Sequence, residues 1–306
     1  MLIWIRIAGA LLMMQPAGMP DNLLIEHGEQ IVADVQREDY AIPGADLIDM
    51  DKFDKLLHIL DRRVYEAPEN AKIDGHGRIV PERPGFKLNR RLFAEQFFAY
   101  YFGSGSSTIR VPRFTLYAKV DSELLAHLRV KQIGYYVTYY NSGNANRSHN
   151  IALAAKAIDS QVVFPGEIFS FNRTVGQRTA EKGYVAAPII VRGELSEGIG
   201  GGICQVSSTL FNAADRAGLK IVQRYSHSRN VSYVLPGRDA TVSWGGPDFA
   251  FQNAYNQAVL IRAFAGGGRM QVAVYSSDLI EYKPREVPGI TERLPEEIST
   301  RMSSSP

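Results

Sequence analysis

The chain is predicted to fold as an α+β protein. Apolar residues recur at helical spacing in separated stretches, short extended runs flank glycine-centred turns, and neither pattern dominates the 306 residues. Taken in order, Met50, Phe53, Leu56, Leu57, Leu60 and Val64 share a 3.6-residue period and predict an amphipathic helix whose task is packing. Lys72-Ile73-Asp74 and Arg78-Ile79-Val80 flank Gly75-His76-Gly77 in the pattern of a hairpin. A second helix is expected over 91–102. Its aromatics Phe93, Phe97, Phe98, Tyr100, Tyr101 and Phe102 largely follow helical spacing, which assigns them to a core rather than to a sugar-stacking platform. The glycine and serine run 103–107 reads as a loop, with extended chain after it at 108–112 and 114–117.

In the second half, Tyr135, Tyr136, Tyr139 and Tyr140 bracket a strand, and 151–158 reads as a short helix. Val206, Leu210, Ala214 and Ala217 set out another helix that Gly218 stops. The apolar runs 258–264 and 270–275 surround Gly266-Gly267-Gly268, so an antiparallel hairpin is expected to close the domain. From Lys283 onward, Pro284, Pro288, Pro295 and a terminal serine run predict a disordered tail over 283–306. Residues 1–20 hold an apolar run of eight after the single Arg6, which resembles a short secretory signal or an N-terminal anchor. That run falls short of the roughly 20 apolar residues a membrane span needs.

Bulk composition excludes several classes. A net charge of +2 from 34 basic and 32 acidic residues, scattered rather than clustered, argues against nucleic acid as a partner. One cysteine forbids an intrachain disulfide and a cysteine-rich zinc site, and the six histidines lack the pairing of zinc motifs. Neither metal nor other cofactor is expected.

That one cysteine, Cys204, follows Gly200-Gly201-Gly202-Ile203 and precedes the helix through 206–217. A thiol at a helix start faces unpaired N–H groups and the positive end of the helix dipole, which favours thiolate. Glycines just before it let backbone N–H groups turn toward a developing oxyanion, so nucleophile and oxyanion site would share one segment. The opposing reading is a small buried hydrophobe. A thiolate needs a base, and His149 and His227 share its half of the chain; His227, in a polar break before Val231, is the stronger candidate. Asp239 can orient that imidazole, or can pair instead with Arg238 or Arg229, or shape its turn. Arg147 has the geometry to hold a substrate carboxylate, or to lock two loops together.

The segment 139–275 resembles the VanW domain family. The matching residues are Asn146-Arg147-Ser148-His149-Asn150-Ile151, Pro165-Gly166-Glu167-Ile168-Phe169-Ser170-Phe171-Asn172, Val175-Gly176 and Gly183-Tyr184. They continue through the glycine and cysteine segment 200–210, Arg224 with His227-Ser228, 233–240, Asp248-Phe249 and Asn253. Some members look like L,D-transpeptidases that work through a cysteine acyl-enzyme on peptidoglycan. The resemblance therefore implies Cys204 as nucleophile. More loosely, 46–128 resembles the peptidoglycan-binding domain that commonly precedes VanW, on Phe53, Leu56-Leu57, Tyr65, 70–74, Ile79-Val80-Pro81, Gly85-Phe86 and Leu88.

The expected organisation is thus a signal or anchor (1–20), a wall-binding-like domain (46–128), a VanW-like domain (129–276) and the tail. The expected function is cysteine-dependent acyl transfer on peptidoglycan stem peptides, outside the cytoplasmic membrane of a Gram-positive-type bacterium. Its working parts would be Cys204, His227 and Asp239, with Gly201, Gly202, Gln205 and Arg147 binding substrate or oxyanion. Expected partners are the stem peptides, the glycan and, through the N-terminus, the membrane. The alternative is a binding or scaffold protein of the envelope, or one associated with glycopeptide resistance, without turnover.

Overall fold

The computed structural model describes residues 21–45, 47–191 and 194–290, with side chains described outside 190–195. The segment expected to be a signal or anchor, 1–20, lies outside the described residues. No helix among the described residues is long and apolar enough to cross a membrane. The fold is α+β, with the described helices interleaved among several small sheets. The described residues divide into two compact units, one within 21–70 and 83–119, the other within 71–82 and 120–290.

In the first unit, β1 (Asn22–His27) pairs antiparallel with β2 (Gln30–Gln36) and parallel with a strand described below, β6 (Ser107–Arg110). Helix α1 (Met50–Val64) starts at Asp49, whose carboxylate accepts from the Lys52 N–H at 3.1 Å. It buries Phe53, Leu56, Leu57, Leu60 and Val64 as the period requires, while Met50 in its first turn stays exposed. The hairpin β3 (Lys72–Ile73) and β4 (Ile79–Val80) follows and belongs to the second unit. Back in the first, β5 (Gly85–Leu88) pairs with β7 (Arg113–Leu116), and α2 (Arg90–Tyr101) lies between them in sequence. Phe93, Phe97 and Tyr100 are buried and Phe53 joins their rings, so these aromatics are core. Phe102, beyond the end of α2, is exposed.

The second unit is built on a four-stranded antiparallel sheet in the order β8-β16-β15-β9, from β8 (Lys131–Tyr139), β9 (Gln161–Val163), β15 (Val259–Gly266) and β16 (Arg269–Ser276). Successive residues of a strand face opposite ways. Val259 and Ile261 enter a core with Ala154 and Ile158 of α4 (Ala145–Ile158) and with Val206 and Leu210 of α6 (Ile203–Arg216). Leu260 turns to the other side, joining Ile73 of β3 with Leu125 and Leu128 of α3 (Ser122–Leu128). Apart from that sheet, β10 (Ile168–Ser170), β14 (Ala250–Gln252) and β13 (Lys220–Gln223) pair in the order β10-β14-β13. The short helix α5 (Phe171–Val175) follows β10, and β11 (Ala186–Val191) pairs with β12 (Glu194–Ile199). Helix α4 is longer than the expected 151–158 because Asn144 caps it upstream, accepting from the Arg147 N–H at 3.0 Å.

The chain from Lys283 to Pro288, expected to be disordered, packs onto this unit. Arg285 N–H donates to Arg216 O at 3.1 Å, its guanidinium reaches Asp215 at 2.7 Å, the Arg216 guanidinium donates to Val287 O, and Tyr136 donates to Pro288 O at 3.1 Å. Proline content signalled disorder, but partners distant in sequence supply the hydrogen bonds that the segment cannot make internally. Residues 291–306 of that tail lie outside the described residues.

Helix α6 approaches the sheet at Gly134 of β8, where an added Cβ would lie 2.4 Å from Ala213 O and 2.8 Å from Ala217 Cβ. Gly134→Val should therefore lower stability by about 1–3 kcal/mol through overpacking. Urea unfolding followed by near-ultraviolet circular dichroism checks this. Gly75→Ala, which meets nothing within 4 Å, should stay within about 0.5 kcal/mol of the parent.

Candidate functional site

The site is organised by the first turn of α6. Gly202 caps the helix with φ 103°, a left-handed conformation that favours glycine, and a Cβ there would lie 2.9 Å from Ile151 Cγ1 and 3.1 Å from Arg147 Cγ. Asn150 of α4 fixes the loop before it, donating to Gly201 O at 3.1 Å and Val185 O at 2.9 Å and accepting from the Val185 N–H at 2.9 Å. Cys204, second residue of the helix, is partly exposed, with its sulfur 3.6 Å from Val242 O and 3.7 Å from Thr241 Oγ1.

His227 and Asp239 are brought to this thiol. The Asp239 Oδ2 accepts both the His227 backbone N–H and Nδ1–H, each at 2.6 Å, while the imidazole stands beside the Cys204 thiol and acts on its acidity. With Nδ1 turned to the carboxylate, Nε2 is the nitrogen left for sulfur. Both acid and imidazole side chains are under one-tenth exposed. Arg224 steadies the aspartate, donating through Nε to its carbonyl at 2.6 Å and standing 3.5 Å from its Oδ1. Arg238, a competing partner for Asp239 on sequence grounds, instead reaches Asp215 at 2.8 Å and Asn212 Oδ1 at 2.7 Å.

What brings Asp239 here is the polar face of α6. Ser207 Oγ donates to Ala240 O at 2.6 Å, Ser208 Oγ accepts from the Ala240 N–H at 2.8 Å, and Asn212 Nδ2 donates to Arg238 O at 2.8 Å. All three side chains are fully buried, so these bonds replace ones that water would otherwise make.

The electrostatics follow from this packing. Burial pushes the Cys204 thiol up, but the hydrogen bond and charge of His227, helped by Val242 and Thr241, outweigh it and leave the thiol below its ordinary value. Burial pulls His227 down, and Cys204 and Asp239 together raise it above the ordinary imidazole value. Asp239 is lowered, its burial outweighed by the His227 bonds. Tyr233 is held well above the ordinary phenol value by burial and by Cys204, so it stands beside the thiol as a neutral group. Both shifts favour the thiolate and imidazolium forms of the pair, which suit nucleophilic attack, over the neutral ones.

The other residues named from sequence are placed differently. Gln205 is fully buried, its Oε1 accepting from Arg147 at 2.6 Å and its Nε2 donating to Thr138 Oγ1 at 3.0 Å and Tyr139 O at 2.9 Å. Its amide is thus engaged within the fold. Arg147 locks α4 to the start of α6 and also lies 6.0 Å from the Tyr233 ring centre. Gly201 is pressed against β11, where a Cβ would come within 2.6 Å of the Ala187 and Pro188 backbone. His149 sits apart from this constellation, with Nε2 2.8 Å from Gly183 O.

Sequence reasoning assigned no role to Asn172, Asp248, Tyr233 or Arg178. Asn172 donates to Ser243 O and Pro247 O, each at 2.9 Å, and Asp248 accepts from the Asn172 N–H at 2.8 Å. The two anchor the segment that continues from Thr241 and Val242 beside the sulfur. Asn172, Tyr233 and Asp248 stood within the motif segments that carried the family resemblance, a usable signal; Arg178 stood in none.

The sign of these shifts sets a pH window. Below the lowered thiol value Cys204 protonates, and above the raised imidazole value His227 loses its proton. The pair's contribution to stability is lost in both directions. Alkylation of Cys204 by iodoacetamide should therefore reach half its maximum below the free-cysteine value of about 8.5, and His227→Ala should move that midpoint up, because burial is then opposed by Val242 and Thr241 alone. A rate profile against pH checks both.

Residues 146–275 match the family described as VanW like protein. Over 300 residues the chain is 57% identical to the Uncharacterized protein YoaR of Bacillus subtilis (strain 168), covering 97% of this chain and 99% of that one. It is 34% identical over 113 residues to the Vancomycin B-type resistance protein VanW of Enterococcus faecalis (strain ATCC 700802 / V583), covering 35% of this chain and 41% of that protein. No solved structure matches. With the matched segment carrying Cys204, His227 and Asp239, and the likeness to YoaR running nearly end to end, the chain belongs to the VanW-like family.

Proposed function

We propose that this is an envelope protein whose second unit performs thiol acyl transfer on peptidoglycan stem peptides, outside the cytoplasmic membrane. The observation that carries the reading is the Cys204–His227–Asp239 arrangement at the start of α6, with the imidazole bound by the carboxylate and coupled electrostatically to the thiol. The substrate class comes from the family likeness. By the separate, looser resemblance of 46–128 to a peptidoglycan-binding domain, that segment would hold the wall polymer.

In this mechanism the Cys204 thiolate adds to a stem-peptide carbonyl. The oxyanion that forms takes hydrogen bonds from backbone N–H groups at Gly202 and Cys204. The Ile203 and Gln205 N–H groups are spent on Gly200 O and Gly202 O, whereas the Cys204 N–H has no acceptor among the described residues. The C–N bond breaks, the leaving amine takes the proton of the His227 imidazolium, and a thioester remains on Cys204. An amine of a second stem, or water, then attacks the thioester and gives its proton to His227. The C–S bond breaks and the thiolate returns. Asp239 holds the tautomer and the ring orientation throughout, as the acid of such a triad does.

The test incubates the purified protein with tetrapeptide-stem peptidoglycan fragments and reads the products by mass spectrometry. Cross-linked dimers or trimmed stems should form with the parent and vanish in Cys204→Ala. Asp239→Asn should slow them by about 10²-fold or more. Products that persist in Cys204→Ala would sink the reading. Fragments that co-sediment unchanged with the parent would favour a binding protein.

A further inference from the structure

Three buried side-chain polar atoms among the described residues have no hydrogen-bond partner: Arg37 Nε, Ser148 Oγ and Arg178 Nη2. The last belongs to the site. Arg178 lies along the glycine loop that leads to Cys204, its Cβ and Cγ 3.3 and 3.5 Å from where a Gly200 Cβ would stand. Its guanidinium sits 5.6 Å from the Phe171 ring centre, and Nη1 donates to Asn172 Oδ1 at 2.8 Å. Asn172 cannot easily turn away, because its amide nitrogen holds two carbonyls of the 243–247 loop. One end of the guanidinium is thus held and the other buried without a partner.

No carboxylate among the described residues pairs with it. Asp248, the acid it senses, spends Oδ2 on Ser170 Oγ at 2.6 Å and Oδ1 on the Asn172 and Phe249 N–H groups at 2.8 Å each. Burial pulls the Arg178 guanidinium below its ordinary value, with Tyr184, Cys204 and Asp248 holding it up. The thiol and this cation therefore share one electrostatic neighbourhood. Burying a cation without an acceptor is costly, and Arg224 and Arg238, also half-buried beside α6, both have acidic or carbonyl partners.

We propose that Arg178 is the anion receptor of the Cys204 site, its unpaired Nη2 taking a carboxylate of the acyl donor, so that the substrates are acyl donors carrying such a carboxylate. This rests on the acyl-transfer reading above and gives it a specificity determinant. A carboxylate would accept the charge-assisted bond that the fold leaves unmade, and the contact to Asn172 would hold the guanidinium plane during docking. On a stem peptide the group is either the terminal carboxylate or an acidic side chain.

The test uses the full chain and compares the rates at which Cys204 is alkylated by iodoacetate and by iodoacetamide. Changes in thiolate population cancel in their ratio. The iodoacetate-to-iodoacetamide ratio should fall about tenfold or more in Arg178→Gln, as loss of one charged hydrogen bond implies, and return in part in Arg178→Lys. Arg178→Lys keeps the charge and covers the case in which the neutral variant misfolds. A ratio equal to the parent's in both variants overturns the proposal. A Cys204 inert to both reagents would instead bring down the acyl-transfer reading, and this proposal with it. In a second arm, tetrapeptide stems amidated at the terminal carboxyl or at the acidic side chain are compared as donors. The parent should reject one of the two amides and Arg178→Gln should not, which identifies the source; indifference of the parent to both overturns the proposal.

Discussion

The buried polar face of α6 is the constraint on which the rest of the site depends. A helix that buries Ser207, Ser208 and Asn212 must find partners for them, since each unsatisfied group would cost about 1–3 kcal/mol. The backbone of 238–240 supplies those partners. Asp239 is in the middle of that stretch, so the bonds that satisfy the helix also fix the carboxylate. The carboxylate in turn fixes His227 through two bonds to a single oxygen. The position of the imidazole relative to the thiol is inherited from the packing of one helix, and does not depend on a mobile loop finding its place.

Charge alternates along the resulting chain of groups: Asp239, His227, Cys204. Each member stabilises the charged form of its neighbours, which is how a thiol that burial alone would keep protonated ends below its ordinary value. Tyr233 goes the other way and stays neutral, because its burial and the negative charge of Cys204 outweigh the pull of the Arg147 guanidinium. The environment thus separates two ionisable groups of similar intrinsic acidity into one that ionises and one that does not.

Much of this was legible in the sequence where the signal is local. A lone cysteine after a glycine run and before an apolar period marks a helix start, and the alternation around Gly266-Gly267-Gly268 marks a hairpin; both need only neighbouring residues. Cys204 with His227 could be ranked first because few histidines compete for the role. Gln205 misled for the same reason. It sits beside the cysteine in sequence, but α-helical geometry turns it about 100° away, toward Thr138 and Arg147. Arg178 and the tail at 283–288 were illegible because their meaning lies in partners far along the chain: a loop held by Asn172 in one case, Asp215 and Tyr136 in the other.

The outer strand β8 gives the family boundary a physical consequence. The matched segment begins at residue 146, after β8 has ended, yet β8 pairs with β16 from Tyr139 opposite Arg269 to Lys131 opposite Ser276. A fragment cut to the family boundary would bare the β16 edge over its whole length, together with the apolar groove where α6 rests on Gly134. Unpaired N–H and C=O groups along a hydrophobic strand recruit other strands, so such a fragment is built to self-associate. The segment matched by the family is smaller than the second folded unit, which also takes in β8, α3 and the β3–β4 hairpin.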